Sequence, residues 1–273
     1  MSKAALTLMA VHAHPDDEAT STGGILARYS AEGIRTVVVT CTNGELGDGH
    51  QASKPGEAAH DEAWVVAKRR QELEASCEIL GVDSLELLGY RDSGMMGWPQ
   101  NDAPGSFWTT PVAEAAGRLS ELIQRYRPQV VVTYDANGFY GHPDHIQAHR
   151  ITVAALEANP VADKLYYPAI AESDMAEFRE TIRSAGVQPP DEAEEDWDFG
   201  VADELIAATV DCAGYTAKQY AALAAHESQV DGTFFLQLGI DLFSKLMNRE
   251  TFIRAYDRTG APTPEHDLFA GLR

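Results

Sequence analysis

Cysteine is scarce in this chain. Cys41, Cys77 and Cys212 are odd in number, widely spaced and without a C-x-x-C pair, which argues against a disulfide framework or a thiolate metal site and for a reducing cytoplasm. Positive charge is short too: 21 Lys and Arg stand against 42 Asp and Glu, a net charge of −21. Such a surface repels phosphodiester backbones and anionic membranes, so neither a nucleic acid nor a membrane is an expected partner. No apolar run approaches the roughly 20 residues of a membrane helix. The opening run Ala4–Val11 has neither a basic n-region nor a cleavage site, and so does not read as a signal peptide. Internal repeats, low-complexity tracts and an obvious linker are also missing. The 273 residues, 44% of them hydrophobic, therefore read as one soluble domain at the upper end of what a single core can organise.

What the chain does have is an alternation of short apolar runs with amphipathic ones. Leu6–Val11, Thr36–Cys41, Leu85–Leu88, Val130–Tyr134 and Lys164–Tyr167 read as strands, rich in β-branched residues. Helices are expected at Gly23–Ala31, at Glu62–Leu80 with Gly81 as its C-cap, at Val112–Tyr126, and from Pro143 onward. Strands separated by helices make parallel βαβ units. The fold expected is α/β: a Rossmann-like, doubly wound, mostly parallel sheet with helices on both faces. Residues 1–168 form its core, and 169–273 a smaller C-terminal α/β extension that covers the pocket, with helices at Thr216–His226 and Leu236–Met247. With strand order 3-2-1-4-5, the C-terminal ends of strands 1 and 4 flank the crevice where such sheets bind ligands. Two loops, Thr42–His60 and the stretch after strand 3, are too long for plain connectors. Asp191–Asp198 is an acidic run around Trp197 and reads as a solvated loop.

Two short motifs stand out at those strand ends: His14-Pro15-Asp16-Asp17-Glu18 and His142-Pro143-Asp144-His145. With 9 His and 13 Pro in the chain, about 0.4 His-Pro pairs are expected by chance at independent usage. Two occur, each followed by Asp. Proline favours the first turn of a helix, which puts His14 and Asp17 on one face of a turn, and likewise His142 and His145. Imidazoles and a carboxylate converging on such a crevice suit Zn²⁺ with one open position. Asp16, between the candidate ligands, is the expected general base, and it also complements the helix dipole. Glu18 reads as a first-turn acid. Tyr140 and His142 are placed to donate to an oxyanion, and His142 to protonate a leaving amine. Asp144 is suited to orient an imidazole. His12 and His149 read as a core histidine and a solvated helix residue. No G-x-S-x-G elbow supports a serine hydrolase, and no glycine-rich turn after strand 1 supports a nucleotide-binding module.

A-H-P-D-D-E at 13–18 together with G-H-P-D-H at 141–145 resembles the LmbE-like (PIG-L) zinc-dependent N-deacetylases, closest to the branch that holds the N-acetylglucosaminyl-inositol deacetylase and the mycothiol conjugate amidase. Supporting likenesses are Arg69–Leu73, Arg91–Met95, Thr133–Gly138, Ala225–Gln229 and Leu268–Gly271. The resemblance implies His14, Asp17 and His145 as ligands of Zn²⁺, with Fe²⁺ the other candidate. It implies Asp16 as the base of a metal-activated water, His142 as acid or stabiliser and Tyr140 as oxyanion donor. Arg69, Asp92 and Met95 match positions that line the family's sugar pocket. Without that context they would be a surface arginine, a turn aspartate and a packing methionine. The activity implied is amide hydrolysis on a small-molecule N-acyl amino sugar, by a protein that could form a homo-oligomer. The rivals are deacetylation of an acylated sugar on a secondary metabolite, and a metal-stabilised sugar-binding protein without catalysis.

Overall fold

The computed structural model describes residues 6–187, 200–232 and 234–273; the acidic run at 191–198 lies outside them. The order of elements is β1 (Thr7–His12), α1 (Asp17–Ser21), α2 (Gly23–Ala31), β2 (Arg35–Thr42), α3 (Glu62–Leu80), β3 (Ser84–Tyr90), α4 (Val112–Tyr126), β4 (Val130–Val132), a short turn of helix α5 (Gly138–Gly141), α6 (Pro143–Ala158), β5 (Lys164–Pro168), α7 (Glu172–Ser184), β6 (Ala208–Asp211), α8 (Thr216–Ala224), α9 (Phe234–Gln237), α10 (Gly239–Leu246) and β7 (Arg249–Asp257).

The seven strands form one sheet in the order β3-β2-β1-β4-β5-β7-β6. The first five run parallel, with Leu8 paired to Thr36 on one side and to Val130 on the other. Side chains alternate along β1 between two cores. Leu8 and Ala10 join Ile25, Leu26, Leu73 and Leu223 on one face. Met9 and Val11 join Leu119, Ile123, Ile151 and Ala155 on the other. A strand buried on both faces loses the polar–apolar alternation of an exposed one, which is why β1, β2 and β4 read as continuous apolar runs. Helix α3 begins and ends where its sequence signals put it. The Asp61 side chain accepts from the N–H of Ala63 and Trp64, and Gly81 takes a left-handed φ of 80°, open to glycine at little cost. No described helix is long and apolar enough to cross a membrane.

The C-terminal third differs from expectation in detail. Its strands β6 and β7 join the same sheet in antiparallel sense, β7 lying between β5 and β6. The helix expected over Leu236–Met247 is broken, because Gly239 adopts φ 70°. β4 stops at Val132, two residues earlier than the apolar run suggests, and this frees Tyr134 to turn toward the crevice.

Candidate metal and catalytic centre

β1 and β4 are neighbours, and the chain leaves β1 toward β2 on one side and β4 toward β5 on the other. Their C-terminal ends therefore open the crevice expected of a doubly wound sheet. The two His-Pro-Asp motifs emerge there and face each other.

The second motif is built as its sequence suggests. Pro143 sits in the first turn of α6, and His142 caps that helix by accepting the Asp144 N–H on Nδ1 at 3.1 Å. The first motif is not. α1 starts only at Asp17, and Asp16 before it has φ 124°, a backbone that L-residues rarely adopt. His14 thus lies in a turn ahead of the helix. It still meets Asp17, whose Oδ2 accepts the His14 N–H at 2.8 Å.

Three side chains converge tightly. His14 Nδ1 is 3.3 Å from His145 Nε2 and 3.4 Å from Asp17 Oδ2, while His145 Nε2 is 3.6 Å from Asp17 Oδ1. A tetrahedral ion with bonds of about 2.0–2.2 Å spaces neighbouring ligand atoms roughly 3.3–3.6 Å apart. The three contacts in this triangle of side chains are each spaced as neighbouring ligands of a zinc ion are, with Asp17 reaching His14 through Oδ2 and His145 through Oδ1. His142 stands beside it, its ring centroid 4.5 Å from that of His14 and 5.0 Å from that of His145. His14, His142 and His145 also form one buried group that could hold an ion, and His14, Asp92 and Asp144 another.

The charge balance fits a cation as well as the distances do. Against the opposing effect of burial, Asp144 and Asp17 hold the His14 imidazole well above its ordinary pKa. Asp92 approaches its Nε2 to 3.8 Å. A ring surrounded by carboxylates is a place built for positive charge, which a divalent ion supplies without the proton. Asp17 is held well below the usual carboxylate range despite burial, by His145 and His14. Burial and the nearby His14 push His145 down to about 4. Both are thus in the ligating form at neutral pH.

The supporting contacts fix the ligands' orientation. Asp144 Oδ2 lies 3.3 Å from His14 Nε2, leaving Nδ1 to point into the triangle. Asp144 is itself held by the Ser93 N–H and Oγ at 2.9 and 2.5 Å. Tyr134 donates its hydroxyl to Asp17 Oδ2 at 2.7 Å and accepts the Ala13 N–H at 3.0 Å. Sequence reasoning placed no role on Tyr134, although it lies inside the quoted Thr133–Gly138 segment. His12 is buried and bonded to Thr22 Oγ1 at 2.8 Å, beside the site rather than in it. Partners of this kind typically carry 10–100-fold in metal affinity. Asp144→Ala should weaken divalent-ion binding by about that factor, and titration against a chelating dye reads it directly.

Asp16 is outside the triangle. Its carboxylate reaches Arg69 Nη2 at 2.9 Å with 28% of the side chain exposed. Burial raises its pKa to about 6 against the pull of Arg69, and Asp17 adds to the rise. Arg69 is itself buried, donating from Nη2 to the Pro15 carbonyl and from Nη1 to that of Gly44. It packs so closely on the glycine-rich loop that a Cβ at Gly44 would meet Nη1 at 2.4 Å. Burial, with His14 and His145 alongside, lowers His142 to about 2. A neutral imidazole that accepts on Nδ1 carries its proton on Nε2. At the mouth, Tyr140 is 48% exposed, with its ring 5.0 Å from His145, while Met95, Met96 and Trp98 expose apolar surface on the loop after β3.

Comparisons with known proteins place the chain in a family. The family model described as GlcNAc-PI de-N-acetylase matches residues 9–156, a span that contains both His-Pro-Asp motifs and more than half the chain. The chain belongs to the PIG-L family. A PIG-L relative from Acidothermus cellulolyticus, named 1D-myo-inositol 2-acetamido-2-deoxy-alpha-D-glucopyranoside deacetylase, is 42% identical over 97% of this chain and 95% of its own length. A relative of the same name from Streptomyces griseus is 42% identical over 97% of this chain and 88% of its own. Among solved structures, the N,N'-diacetylchitobiose deacetylase of Pyrococcus horikoshii superposes with a TM-score of 0.59 at 19% identity, over 92% of this chain and 84% of that one. It shares the fold described above. This PIG-L chain is accordingly an enzyme of the de-N-acetylase type, with buried His and Asp groups that could hold a metal ion at the ends of β1 and β4.

Proposed function

We propose that this protein removes the acetyl group from the 2-acetamido-2-deoxy-glucosyl unit of an inositol glycoside. Two near-full-length relatives at 42% identity carry that name. The observation that carries the chemistry is the convergence of His14, Asp17 and His145 with the Asp16 carboxylate, paired with Arg69, outside the set. These three would hold the ion, Zn²⁺ in this reading and Fe²⁺ as the alternative. The bound ion supplies a lowered pKa for water and polarisation of the acyl carbonyl. Asp16 accepts the proton of the water that adds to the carbonyl carbon, then returns it to the nitrogen as the C–N bond breaks, so that acetate and the free amine leave.

His142 is better suited to stabilise than to protonate. Its Nδ1 is committed to the Asp144 N–H, so the neutral ring offers only an Nε2–H donor, directed to the developing oxyanion with Tyr140 as the second donor. Asp144 keeps His14 in register. Asp92 and Met95 line the sugar site at its mouth, and Arg69 forms its floor through Asp16. The substrate is a small molecule, as the names of the relatives specify.

Amine release from a panel after chelation, with and without added Zn²⁺, tests this reading. Metal-restored release is expected from N-acetylglucosaminyl-inositol and much less from N-acetylglucosamine. Release only from a mycothiol bimane conjugate would move the protein to the amidase side of its branch. No release from any, with metal bound stoichiometrically, would discard these substrates in favour of an acylated sugar on a secondary metabolite or of a sugar-binding protein.

A further inference from the structure

The segment Ala225–Gln229, just after α8, ties together the elements around Asp16. His226 Nε2 bonds Glu18 Oε1 at 2.8 Å. Ser228 gives its N–H and its hydroxyl to the two carboxylate oxygens of Glu72 on α3, both at 2.7 Å. The Gln229 side chain both accepts from and donates to the backbone of Asp48, each at 3.1 Å, in the glycine-rich loop. The segment thus reaches α1, α3 and the glycine-rich loop, and of its three partners Glu18 is the one bonded to the turn that carries Asp16.

Glu18 is the link that matters. It is fully buried, and its oxygens divide their work. Oε1 takes the Ser76 hydroxyl at 2.5 Å and His226, while Oε2 accepts the backbone N–H of Asp16 at 3.0 Å. Asp16 is held in a φ of 124°, and such conformations persist only where the surroundings over-determine them. Two restraints do so. Arg69 fixes the carboxylate, and Glu18 fixes the backbone N–H. A buried carboxylate that loses one donor is poorly satisfied and turns to find another.

We infer that His226 is a positioning residue: through Glu18 it holds the Asp16 backbone in its constrained conformation and thereby sets where the Asp16 carboxylate meets water and substrate. The inference rests on the reading of Asp16 as the base. A misplacement of 1 Å in a catalytic group can cost on the order of 100-fold in rate.

The test compares His226→Ala, His226→Asn and His226→Gln with Asp16→Ala, reading kcat, KM, metal stoichiometry and Tm. Gln places an N–H close to the position of Nε2, and Asn falls about one bond short. His226→Ala and His226→Asn are expected to lose roughly 10–100-fold in kcat, with KM little changed and metal content full. His226→Gln is expected to stay within about threefold of wild type. Should the alanine variant fail to fold, the Asn and Gln pair still decides. Equal losses in Asn and Gln that follow Tm would show a packing role and overturn the inference, as would lost metal. If Asp16→Ala is inactive while all three His226 variants turn over normally, the inference falls and the base stands. If Asp16→Ala turns over normally, the base reading falls, and the inference with it.

Discussion

Asp16→Ala should lower turnover by about 10²–10⁴-fold, the usual worth of a positioned proton acceptor, while the ion remains bound. The carboxylate makes no edge of the ligand triangle, and its one side-chain partner among the described residues is Arg69. Its removal therefore takes away the proposed proton transfer and leaves the three candidate ligands in place. Asp16→Asn makes the argument sharper. Asn tolerates positive φ better than other L-residues and keeps the side chain's shape and its hydrogen bond to Arg69, but it cannot accept and return a proton. A loss in Asn as deep as in Ala assigns the effect to proton transfer rather than to the backbone. Amine release under saturating substrate, with metal content by mass spectrometry, measures both halves; turnover within threefold of wild type in either variant would sink the assignment.

The largest stability effect is expected away from the site. Lys164 on β5 is fully buried, and its Nζ lies 2.5 Å from Glu265 Oε1 and 3.9 Å from Asp257. The Tyr166 hydroxyl donates to the other Glu265 oxygen, and Arg254 reaches Oε1 at 3.1 Å. Taking Lys164 away leaves the buried Glu265 carboxylate with Arg254 as its remaining cation, and breaking a buried pair costs about 3 kcal/mol at the lower end of the usual range. Lys164→Met should therefore lower Tm by roughly 10 °C for a chain of this size. Its metal content and its turnover per folded molecule should be unchanged. Lys164→Met combined with Glu265→Gln should recover part of the loss, because the buried charge that lost a partner is then gone. Thermal denaturation of the singles and the double closes the cycle; additive losses would show that the pair is not coupled.

The parts of this architecture visible in the sequence are those where local chemistry and global position agree. His14 and His142 each precede Pro and Asp, each follow a strand, and the sheet order brings those strand ends side by side. Asp61 and Gly81 bound α3 with signals that need no tertiary information. What escaped depends on contacts between distant positions. Tyr134 reaches Asp17 across 117 residues and His226 reaches Glu18 across 208; nothing in the neighbourhood of either tyrosine or histidine announces its partner. The resemblance implies Arg69 in the sugar pocket; the sequence does not show that its guanidinium also bonds Asp16 and two backbone carbonyls. β6 has only four residues, and β7 mixes Arg249, Glu250 and Arg254 with its apolar residues, so neither shows the run of apolar residues that marks β1 and β2. The first helix was expected to open at Pro15, but the constrained backbone of Asp16 delays it to Asp17.

The position of β7 bears on how the molecule is made. It is the last strand to be synthesised, yet it sits inside the sheet, between β5 and β6. About ninety residues separate the end of β5 from the end of β7, and at roughly 5–20 residues per second a ribosome takes some seconds to deliver them. Throughout that interval β5 presents a bare edge, β6 has no neighbour to pair with, and Lys164 waits for the carboxylates of Asp257 and Glu265. An unpaired edge invites the wrong strand. The nascent chain is thus most exposed to misassociation when all its candidate metal ligands have already emerged, and a stop codon between His145 and Arg249 would leave the ligands encoded and the sheet unfinished.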